Sequence, residues 1–176
     1  MLRVVRNYQK LERESQMKID QIALYCSTDK QADQIKAQFG LTNAQWIQDT
    51  VTARSIVDGV EGVNVAELQF NYDSGIELEI LRYIDGPHWH LKNQAFGHLP
   101  ADAEAPAFIS HVGIHLDDGE EFPAMEHCKL VQETFTLSHT APYLTTGPAA
   151  GRKYHYRIFE MSPGSYIKYI CRVHPK

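Results

Sequence analysis

The chain has 176 residues, a net charge of −5 with histidines neutral, 43% hydrophobic residues and 22% charged residues. Those totals suit one compact globular domain or two small fused halves, and the acidic balance argues against a nucleic-acid partner, which requires a basic face. The cysteines Cys26, Cys128 and Cys171 are too few and too scattered for a disulfide framework, and no apolar run approaches the roughly 20 residues of a membrane span, so a cytoplasmic protein without membrane contact is expected.

Residues 1–17 read as an N-terminal extension, a short helix or arm with a partial apolar stripe, suited to surface packing or a homodimer contact. From Ile19 the pattern turns to period two: Ile22, Leu24 and Cys26 alternate with Gln21, Ala23 and Tyr25, which predicts a half-buried strand. Thr28 or Asp29 caps a helix over DKQADQIKAQF, ended by Gly40. Strand character follows over 45–58, 64–72 and 76–84, with a hairpin turn at Asp73–Gly75. The Pro/Gly/Ala-rich stretch 85–107 reads as a linker. After it FISHVGIHLDD predicts a strand, GEEFPAMEHCKLVQE a helix with Pro123 in its first turn, and TFTLSH a strand. A glycine-rich loop, YLTTGPAAGR, precedes a closing hairpin of KYHYRIFEM and SYIKYICRV around SPG.

The second half repeats the first. Ile19-Asp20-Gln21-Ile22-Ala23-Leu24 matches Ile109-Ser110-His111-Val112-Gly113-Ile114, and Gly75 through Leu81 matches Gly164 through Ile170 at nearly the same spacing. The boundaries are therefore a first module over 18–84 and a second over 108–174. In each, one sheet face must cover a helix: Ile22, Leu24, Ile76, Leu78 and Ile80 in the first half, and Val112, Ile114, Leu116, Ile167 and Tyr169 in the second. The opposite face carries Gln21, Tyr25, Glu77, Glu79 and Leu81, then His111, His115, Asp117, Tyr166, Lys168 and Ile170. If the sheets curl together, these polar groups converge, and buried ionisable groups must be paired, hydrated or metal-bound.

With IDQIAL and ISHVGI at the module starts, and GIELEIL and SPGSYIKYI at the module ends, residues 19–173 resemble the glyoxalase/bleomycin-resistance/dioxygenase (vicinal oxygen chelate) superfamily. The resemblance implies an α+β fold of two tandem βαβββ modules, forming a curved mixed sheet around a cup. It also implies a lyase, isomerase or dioxygenase that acts on a small oxygen-rich substrate through a divalent metal (Mn, Fe, Ni or Zn). Carried over by position, the metal ligands are Gln21, Glu79 and His111, with Glu77 the alternative to Glu79 and with Lys168 at the fourth position. Lys168 departs from the pattern, because an ammonium has no lone pair for a metal. Glu79 and Lys168 are then the candidate catalytic pair, and Tyr25, Trp89, His115 and Tyr166 the candidate substrate contacts.

Two further readings compete. In one, a Glu79–Lys168 pair replaces the metal and the cup is a small-molecule binding, sequestration-type module. In the other, packed side chains fill the cup of a structural or regulatory protein. The motif His88-Trp89-His90 offers two histidines that bind metal, line a pocket or face solvent, and the loop Thr145–Gly151 is a lid or anion nest without a P-loop ending. GxSxG, catalytic cysteine and dinucleotide signatures are lacking.

Overall fold

A computed structural model describes residues 18–88 and 108–173. The N-terminal extension 1–17, Trp89, His90 and the linker from 89 to 107 lie outside the described residues. The first half contains β1 (Gln21–Tyr25), α1 (Asp29–Gln38), β2 (Ile47–Val57), β3 (Val60–Asn71) and β4 (Glu77–Asp85). The second contains β5 (Phe108–His115), β6 (Lys129–Ser138), the one-turn α2 (Pro142–Thr145), β7 (Lys153–Ser162) and β8 (Ser165–Val173).

The strands close into a mixed barrel in the order β1-β4-β3-β2-β6-β7-β8-β5. Each half runs first, fourth, third, second strand, and its first and last strands pair in parallel: β1 with β4 and β5 with β8. Two antiparallel seams join the halves, β1 to β5 and β2 to β6. Among the described residues no helix is long and apolar enough to cross a membrane.

The alternation read in the sequence explains what lies outside the barrel. Thr28 caps α1 by accepting from the Gln31 N–H at 3.3 Å, and Gly40 takes a left-handed φ of 70° just past the helix end. Ala32 and Ile35 of α1 pack on Leu24, Leu78 and Ile80. Burying Ile35 alone contributes about 1.5–3 kcal/mol. Ile22 packs at the edge of this cluster.

The expected helix over 119–133 is not formed. Gly119 has a φ of 89°, Pro123 has no N–H to give a helical ladder, and residues from Lys129 on are taken by β6. The equivalent outer core is Ile114, Leu116, Phe159, Ile167 and Tyr169. Phe122, Met125 and Cys128 cover it from an irregular segment. Apolar residues at a spacing of three thus anchor a loop here, because strand pairing of β6 to β2 and β7 claims the C-terminal part of the segment.

Across the β1–β5 seam, Gln21 lies opposite Gly113 and Ala23 lies opposite His111. Ala23 is also the register partner of Glu79, and Gly113 that of Lys168. Four polar side chains therefore crowd around two small residues, and this is why a small residue recurs at that place in the repeat. A Cβ on Gly113 would stand 2.3 Å from Gln21 Oε1 and 2.8 Å from Gln21 Cβ. We expect Gly113→Ala to destabilise the fold by about 1–3 kcal/mol in urea unfolding, as overpacking does; an unchanged midpoint would show that the seam has slack.

Candidate active site

The barrel interior is a cup with an empty space of about 790 Å³, open solvent at its mouth included. Val57, Val131 and Ile158 form an apolar cluster of which Ile158 also lines the cup, so this cluster is its floor. The mouth is framed by Asp20, Glu77, His115, Tyr143 and the guanidinium residues Arg152 and Arg172. Between floor and mouth the wall alternates aromatic rings (Phe70, Tyr72, Tyr83, Tyr143, Tyr154 and Tyr156) with polar groups.

Six of the candidate residues meet in this cup: Gln21, Glu77, Glu79, His111, His115 and Lys168. Lys168 Nζ donates to Glu79 Oε2 at 3.2 Å, and the Glu79 side chain is only 3% exposed. The ammonium also lies 4.8 Å from the centre of the Tyr156 ring, a cation–π contact. His111 Nε2 is 3.7 Å from Glu79 Oε2, too far for a hydrogen bond, and has no other partner. His111 Nδ1 meets the Ser110 hydroxyl at 2.9 Å.

These contacts set the charges. Burial by itself raises the Glu79 carboxyl, but the Lys168 ammonium and His111 outweigh it and hold the group at about 2. Burial opposes the Lys168 charge, and Glu79 outweighs that and raises it. Burial, then the nearby Lys168 charge, lower His111 to about 4, so its ring is neutral near pH 7. The cup centre is an ion pair beside a neutral imidazole.

Nearer the mouth, Gln21 Nε2 donates to Glu77 Oε1 in a very short contact, and the Tyr72 hydroxyl donates to Glu77 Oε2 at 2.8 Å. His115 Nδ1 is 3.0 Å from Asp20 Oδ1, and the His115 N–H donates to the same oxygen at 3.1 Å. Both mouth carboxylates are therefore engaged. Burial, followed by Glu77, pushes the Tyr72 phenol well above its usual range, which keeps it a donor.

The donor set does not fit the metal that the resemblance implies. The Lys168 ammonium stands against Glu79, and a metal cation beside it is repelled, while the alternative carboxylate Glu77 is taken by Gln21 and Tyr72. Gln21 turns its amide nitrogen to Glu77, and its oxygen, though unpartnered, lies over Gly113. Among the described residues no group of three His, Cys, Asp or Glu side chains is arranged to hold an ion.

Two expected contacts are not in the cup. Tyr25 stacks on Tyr83 with centroids 5.9 Å apart, and it is Tyr83 that lines the cup. Tyr166 has the inward parity of Lys168 but lies beyond the floor, packed on the Val57 cluster with its hydroxyl donating to Glu160 at 3.1 Å. His88 is buried and stacked on Tyr83.

An aspartate–histidine pair outside the repeated motifs also lies in the cup. Asp49 on β2 and His139, just after β6, both line the cup, with His139 Nδ1 2.6 Å from Asp49 Oδ2. A signal was present: Asp49 shares parity with Val51, Ala53 and Val57, all buried, so an acid stood on an inward-facing strand face.

No family model and no curated protein matches this chain.

Removing one partner of the central pair leaves the other buried and uncompensated. Glu79→Ala should cost about 3–5 kcal/mol in urea unfolding, and Glu79→Leu with Lys168→Met far less; equal losses would show that the pair is not the cause. Acid should also destabilise the fold in two steps of the same sign. The unfolded chain protonates His111 near 6.5, before the folded one does near 4, so stability falls as pH drops through that window. Glu79 adds a loss between its usual 4.5 and about 2. In His111→Gln the upper step should vanish from a pH series of unfolding midpoints.

Proposed function

We propose that this chain is a metal-free binding protein for small molecules, with a barrel of the vicinal oxygen chelate kind. The observation that carries the reading is the Lys168–Glu79 contact of 3.2 Å at the cup centre, where a metal enzyme of that kind would coordinate its ion. An ion pair there completes the charge of the buried carboxylate without an ion. The internal repeat and the identical strand order of the halves support the kinship. The second half retains the four strands and substitutes a packed loop for the outer helix. Apolar and aromatic walls with a few convergent polar groups are the usual make-up of a small-molecule site.

In this reading the ligand body lies among the tyrosine rings. Lys168 keeps further N–H groups beyond the one given to Glu79, and these, with the neutral His111, hydrogen-bond ligand oxygens. His115, held by Asp20 at the mouth, is a rim contact. The lyase, isomerase or dioxygenase alternative needs Lys168 displaced from Glu79 before a metal enters.

Calorimetric titration with Mn, Ni and Zn tests the choice. The wild-type chain should take up none of them stoichiometrically at the cup. Lys168→Glu, which adds a carboxylate beside Glu79 and His111, should gain a site. Tight wild-type binding that is lost in both Glu79→Gln and His111→Gln would overturn the metal-free reading.

A further inference from the structure

The pair on the β2–β6 side of the cup is built for more than bracing a turn. Asp49 Oδ1 accepts from the backbone N–H of Thr140 at 2.8 Å and of Ala141 at 2.9 Å, while Oδ2 meets His139 Nδ1. Burial raises the Asp49 carboxyl, but the bonds from His139, Ala141 and Thr140 outweigh it and keep it below its ordinary value, hence ionised. An ionised carboxylate only accepts. The shared hydrogen is therefore on His139 Nδ1, and in the neutral ring Nε2 presents a lone pair. The His139 side chain is 8% exposed, lines the cup, and stands edge-on to Tyr154; its Nε2 has no hydrogen-bond partner. Anchoring the start of α2 uses Nδ1 and the carboxylate alone. Nothing in that role accounts for a second buried nitrogen left open.

We propose that Asp49 and His139 form a proton-accepting site that takes the hydrogen of a phenolic or enolic hydroxyl on the molecule bound in the cup. The ligand O–H bond breaks, an N–H bond forms at His139 Nε2, and the electron pair stays on the oxygen. Asp49 compensates the imidazolium that results, as an orienting carboxylate does in a base pair of this type. The ligand class follows from the walls: Tyr72, Tyr143 and Tyr154 offer faces and edges to a flat ring. The titratable groups against His139 are Asp49 from β2 and Tyr154 from β7, and Tyr143 from α2 lines the same cup. Burial, then Tyr154, Glu77 and Asp49, raise the Tyr143 phenol, so it stays protonated and does not compete as a base. The proposal rests on the small-molecule reading given above.

The test uses the full chain and 4-nitrophenol, whose ionised form absorbs visible light, at a pH where the free phenol is mostly protonated. Calorimetry reads binding and absorbance reads ionisation. The expected result is a bound phenol that shows the phenolate band. His139→Gln should still bind it while the ionised fraction falls roughly tenfold or more, the scale of one lost charge-assisted hydrogen bond. Asp49→Asn, which reverses the demand on Nδ1, should lose the band as well and guards against a His139 variant that fails to fold. A phenol that binds but stays neutral, or a band unchanged in both variants, overturns the dyad and leaves the binding reading standing. Failure of the wild-type chain to bind the phenol overturns both.

Discussion

A carboxylate almost sealed from water sits at the centre of this barrel, and the surrounding structure answers its charge. Glu79 would cost several kcal/mol to bury alone. Lys168 arrives from β8 of the other half to meet it, so the ion pair fastens one half to the other. Burial, helped by the Lys168 charge, holds His111 in its neutral form against the opposing pull of Glu79. Charge balance at the cup centre and a polar tie between the halves thus follow from one contact of 3.2 Å.

Room for that contact comes from what is missing. Ala23 and Gly113 place almost nothing on the inner face where β1 and β5 meet, and Glu79, His111, Gln21 and Lys168 occupy the space they leave. On the outside the halves are free to differ, since any apolar cover will do. One uses α1 and the other uses Phe122, Met125 and Cys128 on a loop. The interior is constrained by polar pairing; the exterior only by burial.

That difference decides how much was legible in the sequence. Period-two patterns placed the strands, because inner and outer faces of a barrel are chemically distinct. The repeat brought Gln21, Glu79, His111 and Lys168 to one face, and they do line one cup. Parity, however, says nothing of height along the barrel axis. Tyr166 shares the parity of Lys168 yet lies below the floor, and Tyr25 is covered by Tyr83. The 119–133 segment has helical apolar spacing, but pairing of β6 with two neighbours outweighs local propensity. Asp49 and His139 are not legible as a pair for a related reason: they are distant in sequence, outside the repeated motifs, and meet only when β2 and β6 form the second seam.

That pair of seams has a bearing on how the chain reaches its native state. Hairpins β2–β3 and β7–β8 are local, but β1–β5 and β2–β6 join strands from opposite halves, with loop closures as long as a whole half. Such non-local pairings form late, because their closure entropy must be met before their contacts add stability. Until then each half is an open sheet with two unpaired edges, β1 and β2 or β5 and β6, and with a polar face whose charges lack their partners. Neither half is thus an independent foldon, and unfolding is expected to be a single cooperative event. A half released by proteolysis has one route to satisfy both edges and Glu79 together, which is reassociation with the complementary fragment.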